Sequence, residues 1–166
     1  MKELPVRKHP RLKGHDYNSY GAYFITACVK DKHEMFSDFV GRDDLGAPYV
    51  QLSKYGLIVQ KYIDQIESYY PGVFLDNYVI MPNHIHMIIA IRRGEDGAPR
   101  SSRPTSATVA KILTALKKLT NKEFGFNIRQ KSYHDHIIRD EAEYQKIWHY
   151  INQNPARWTK DRYYIK

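Results

Sequence analysis

Apolar and polar positions alternate along residues 84–92, and in a β-strand a period of two sends side chains i and i+2 to one face. Ile85, Met87, Ile89 and Ile91 therefore share a face apolar enough to rest on a core, while His84 and His86 open the other. Residues 73–81 read as the preceding strand, and Pro82-Asn83 supplies turn chemistry between them, which predicts an antiparallel hairpin with the histidines at the start of its second arm. YFITACV at 23–29, rich in β-branched and aromatic residues, is the first strand. Residues 31–48 have no clean period and contain Gly41, Gly46 and Pro48, so they read as a connection before a short strand at 49–52. SYHDHII at 132–138 is a further strand.

Three stretches follow the helical period instead. Ser53 can cap a helix reaching about residue 70, with Leu57, Ile58, Lys61, Tyr62, Gln65, Ile66 and Tyr69 as its stripe and Pro71-Gly72 as its stop. Thr105, Ser106 or Thr108 can cap a second helix to about residue 124, striped by Val109, Ile112, Leu113, Leu116 and Leu119 and lined elsewhere by Lys111, Lys117, Lys118 and Lys122. Asp140 caps a third over 141–154, with Tyr144, Ile147, Trp148 and Ile151 facing the core and Pro155 just beyond. The order β, α, β, β, α, β, α predicts an α+β, ferredoxin-like (split βαβ) sandwich with a largely antiparallel sheet and helices packed on it.

Length and composition narrow the picture. The 166 residues, 42% of them hydrophobic, suit one domain over 1–166. Lys and Arg number 26 against 18 acids, a net charge of +8, so a polyanion, nucleic acid first, is the expected partner. Fourteen tyrosines add flat surfaces on which unpaired bases can stack. Residues 1–20 are basic and broken by Pro5, Pro10 and Gly14, an arm rather than a packed element. Residues 93–106, rich in Gly, Pro, Ser and Arg, read as a flexible surface loop. Cys28 is the single cysteine, so no intramolecular disulfide forms, and no run approaches the roughly 18 apolar residues of a membrane span. A cytoplasmic protein without a membrane partner is expected.

Two neutral imidazoles a pleat apart can hold one divalent metal, but they serve equally as polar residues on a solvated strand face, and a third ligand decides. The last helix offers one. Tyr150 lies about 110° from the middle of the core-facing stripe, at its margin, where packing does not require it. Asn154 follows one turn along on the same face, so its amide oxygen is placed to reach a metal on His84 and His86 while the phenol reaches whatever that metal binds. His134 and His136 form a second His-x-His. Two such pairs could instead make a four-nitrogen hydrolase site for Zn²⁺ without a tyrosine intermediate.

His84-Ile85-His86 resembles the His-hydrophobic-His signature of the HUH endonucleases, and YINQNP at 150–155 resembles the Tyr-plus-Asn helix of the REP-associated tyrosine transposases. YVIMPNHIHMI and YHDHIIRDEAEY are similar to the stretches that surround those motifs. The resemblance implies His84, His86 and Asn154 as ligands of Mg²⁺ or Mn²⁺ and Tyr150 as the nucleophile. It further implies single-stranded DNA with palindromic hairpins as substrate, a 5′-phosphotyrosine intermediate, and action as monomer or homodimer. Related insertion-sequence transposases place Gln where this chain has Asn154, which draws it toward the REP-associated branch. Arg7, Lys8, Arg11, Lys13, Arg92 and Arg93 are candidate DNA contacts, and His136 and Lys146 are candidates for proton transfer. A catalytically inactive nucleic-acid-binding module is the remaining alternative.

Overall fold

The computed structural model describes residues 21–92, 109–128 and 133–165. The proposed arm, the 93–106 loop and the caps of the second helix lie outside them. Four strands, β1 (Gly21–Cys28), β4 (Val73–Ile80), β5 (His84–Ile91) and β6 (His134–Ile138), form a sheet in the order β4-β5-β1-β6. All three pairings are antiparallel, as the α+β reading requires. Helices α1 (Lys54–Ile63), α2 (Ile66–Tyr69) and α3 (Val109–Phe124) bury their apolar residues in the core that Ile85, Met87, Ile89, Ile91, Tyr23 and Ile25 build from the sheet. Helix α4 (Glu141–Gln153) and the 3-10 segment Pro155–Lys160 attend to the histidine-bearing face. Every residue of β5 is buried, so its histidine face is covered as fully as its apolar one. No helix among the described residues is long and apolar enough to cross a membrane.

Residues 31–48 contain more than a connection. β2 (Ser37–Arg42) pairs with β3 (Pro48–Leu52) in a separate two-stranded hairpin. Its Val40 and Val50 pack with Trp158 and Met81 in a second, smaller cluster, while Leu52 at the end of β3 packs against the main core; the short strand expected at 49–52 is thus present, and the strand at 37–42 is the addition. The first helix breaks at Asp64–Gln65, where the Asp64 carboxylate accepts the Tyr78 hydroxyl at 2.7 Å. Its buried face runs through Gly56, Val59, Ile63 and Ile66, while Leu57 and Tyr69 of the expected stripe are exposed. Gly56 sets that rotation, because its bare Cα lets the backbone carbonyl of Phe36 approach the helix. The Ser53 cap forms as expected, its hydroxyl accepting Gly56 N–H at 3.3 Å, and so does the Asp140 cap of α4, accepting Glu143 N–H at 2.8 Å.

The same contact reaches toward the histidines. Phe36 N–H and Met35 N–H both donate to the Pro82 carbonyl, at 2.9 and 2.8 Å, so the segment pressed against Gly56 also fixes the turn that launches β5. Gly56→Ala tests this packing, because a methyl in an exposed helix would stabilise by about 1 kcal/mol. Here the new Cβ meets backbone that cannot rotate away, and overpacking of this kind costs about 1–3 kcal/mol. The urea midpoint of Gly56→Ala should therefore fall; a rise would show that the Phe36 segment yields freely.

Candidate active site

His84 and His86 are 0% and 1% exposed, and their Nε2 atoms face one another at 3.0 Å. Asn83 determines why. Its amide nitrogen donates to the Tyr163 carbonyl at 2.9 Å and to the Lys32 carbonyl at 3.2 Å, so its oxygen is left to accept from His84 Nδ1 at 2.9 Å. With the proton on Nδ1, His84 Nε2 carries a lone pair. His86 Nδ1 lies 2.8 Å from the Thr26 hydroxyl, its cross-strand neighbour on β1. When Nδ1–H donates there, His86 offers a second lone pair at the same point; in the other tautomer its Nε2–H donates to His84.

Burial pushes the pKa values of both imidazoles down, with His84 and Arg162 adding to the effect at His86, and with Asp161 opposing it and Lys32 adding to it at His84. Neutral imidazole is the form that binds a metal. Aromatic rings wall the pair: Phe24 stacks on His86 with centroids 5.2 Å apart, and Tyr163 lies 4.5 Å from His84.

Helix α4 brings the other expected residues to this pair. The Tyr150 hydroxyl lies 3.2 Å from His86 Nε2 and donates to Asp161 Oδ2 at 3.2 Å. Burial first, and then the Asp161 charge, push the pKa of this phenol well above its ordinary value. Asn154, 2% exposed at the end of α4, donates from its amide nitrogen to Asp161 Oδ2 at 2.9 Å. Among the described residues its amide oxygen has no hydrogen-bond partner, a state that costs a buried polar atom about 1–3 kcal/mol.

Asp161 is the residue that the sequence reading missed. One ligand atom from each of His84, His86 and Asp161 falls within 4.8 Å of the others. Asp161 accepts only from neutral groups, Tyr150, Asn154 and the Tyr163 N–H, and makes no ion pair among the described residues. The available signal was its isolation, as it is the only acid after Glu143, set among Arg157, Lys160 and Arg162.

The donor set fits a divalent cation: two lone-pair nitrogens, an uncompensated carboxylate and an unpartnered amide oxygen. His134 and His136 are exposed on the edge strand and outside the cluster of three, so the four-nitrogen alternative loses its second pair.

His136 binds Glu143 at 2.6 Å, and Lys146 is exposed one turn before Tyr150; the phenol meets His86 and Asp161 instead. Arg92 contacts both carboxylate oxygens of Asp76, at 2.8 and 2.7 Å, rather than standing free for a phosphate. Asp76 also accepts the Tyr144 hydroxyl at 2.8 Å and so ties α4 to β4. Arg7, Lys8, Arg11, Lys13 and Arg93 lie outside the described residues.

The Asn83 clamp predicts that Asn83→Ala leaves every ligand in place yet weakens Mn²⁺ affinity about 10–100-fold, the usual cost of losing an outer partner. Isothermal titration checks it, and unchanged affinity would mean that the His84 tautomer needs no help.

No family model matches the chain. An uncharacterized protein of Haemophilus influenzae is 35% identical over 175 aligned residues, spanning 96% of this chain and 93% of its own. A REP-associated tyrosine transposase, solved bound to a REP hairpin, superposes with a TM-score of 0.63 at 19% identity over 89% of this chain and 74% of that one. At that identity the likeness is one of fold, and the chain has the fold of that transposase.

Proposed function

The chain belongs to the family of that Haemophilus influenzae protein, and from its site and fold together we propose a metal-dependent endonuclease and strand transferase of single-stranded DNA. Its substrate is a palindromic hairpin repeat, and its intermediate is a 5′-phosphotyrosine. The observation that carries this reading is the Tyr150 hydroxyl at 3.2 Å from His86 Nε2, a phenol held against the metal-capable cluster on the wall of an open cavity. The REP hairpin bound by the structural neighbour supports a hairpin substrate here. A cytoplasmic location belongs to the same proposal.

Cleaving a phosphodiester requires its charge to be neutralised and an attacking oxygen aligned. His84, His86 and Asp161, with the Asn154 amide oxygen, would hold Mg²⁺ or Mn²⁺, which when bound supplies Lewis-acid polarisation of a phosphoryl oxygen. Tyr150 Oη forms the new bond to phosphorus and the P–O3′ bond breaks. The phenol gives up one proton and the departing 3′ oxygen takes up one, leaving a 5′-phosphotyrosine and a free 3′-hydroxyl. One phosphodiester bond replaces another, so a second 3′-hydroxyl can reverse the step without ATP. Asp161 Oδ2 accepts the phenolic hydrogen bond and thereby aims the oxygen.

Incubation with labelled single-stranded hairpin DNA and Mn²⁺, followed by a denaturing gel, should yield a covalent protein–DNA band. Tyr150→Phe should bind metal and DNA but give no band. Asn154→Ala should lose activity at low Mn²⁺ and recover part of it as Mn²⁺ is raised, because mass action refills a weakened site but cannot replace a missing phenol. Tyr144→Phe loses the bond to Asp76 and about 1 kcal/mol of stability, yet should keep the band. An adduct from Tyr150→Phe would sink the assignment.

A further inference from the structure

Tyr150, Asn154 and Asp161 also line a cavity of about 430 Å³, together with Gln153, Arg157 and Lys160. The histidines do not line it; they lie behind, in the buried layer. Arg157 and Lys160 belong to the 3-10 segment, which kinks at Arg157; both line the cavity with Asn154, while Pro155 and Trp158 are buried. Trp158 is fixed by the β2–β3 hairpin through Val40 and Val50, which gives both cations a rigid base.

Their charges are unspent. Lys61 pairs with Glu123 at 3.1 Å and Arg92 with Asp76 at 2.7 Å, whereas Arg157 and Lys160 are exposed and make no ion pair among the described residues. Two free cations facing one carboxylate across an open cavity make a site for an anion, and the Tyr150 side chain on the same wall limits which anion is useful. We infer that Arg157 and Lys160 grip backbone phosphates of the DNA strand beside the bond that Tyr150 attacks, Arg157 through its planar fork and Lys160 as a point charge. The inference rests on the strand-transferase reading and names the part of that site which holds the strand.

The test measures binding of a fluorescent single-stranded oligonucleotide across a salt series, with EDTA and with Mn²⁺, alongside adduct formation. Arg157→Ala and Lys160→Ala should each lower the log–log salt slope by about 0.7, the share of one phosphate contact on a single strand, and the double variant by about 1.4. Arg157→Lys should keep most of the slope. Lys61→Ala, on a distant helix, should leave it unchanged. With saturating DNA, single-turnover adduct formation should slow in the alanine variants. If binding responds as described while wild-type protein forms no adduct, the phosphate grip stands and the covalent reading fails. If wild-type protein forms the adduct and both alanine variants keep its rate and the full slope, the grip is overturned; a slope lost equally in Lys61→Ala overturns it too.

Discussion

The two-residue period of β5 governs the site, because β5 is an inner strand with a neighbour on each edge and cover on both faces. Once Ile85, Met87, Ile89 and Ile91 are committed to the core, His84 and His86 are committed to the opposite layer, where no water can serve them. A dry layer makes every polar atom costly unless it is matched. The Nδ1 atoms are matched by Asn83 and Thr26, but among the described residues the Nε2 atoms have only each other and Tyr150, and the Asn154 amide oxygen has no partner. The mismatches converge on one point, and a cation there would answer them together.

Charge is distributed with the same economy. Glu123, Asp76 and Glu143 each take a basic or imidazole partner on the surface or between elements. Among the described residues Asp161 receives neutral donors alone, and Arg157 and Lys160 beside it make no ion pair. Asp161, Arg157 and Lys160 thus stand beside Tyr150, where an incoming phosphodiester and its counterion would meet them. The acid–base pairs elsewhere hold elements together, as the Asp76 cluster does by fastening α4 to β4.

Much of this was legible in the sequence because burial enforces periodicity. β5 opens on a His-x-His alternation, α3 buries Val109, Ile112, Leu113 and Leu116 of its stripe although Leu119 is exposed, and Ser53 and Asp140 cap as their chemistry suggests. The short strand at 49–52 was legible but its partner β2 was not, since β2 packs on Trp158 through Val40 and leaves Phe39 half exposed. The face of α1 was misread because the decisive residue was a glycine, which signals packing by having no side chain. At the site, His84, His86, Tyr150 and Asn154 could be singled out from local spacing. Asp161 could not, because its place depends on how the chain turns after Pro155, and no local period records that turn.

The most direct measurement is anomalous diffraction from crystals soaked in Mn²⁺, read at the position between the two facing imidazoles. A peak bounded by His84 Nε2, His86 Nε2 and the Asp161 carboxylate, with the Asn154 amide oxygen turned toward it, is the expected result. Imidazoles still in direct contact at 3.0 Å with no peak between them at saturating Mn²⁺ would contradict a shared cation site.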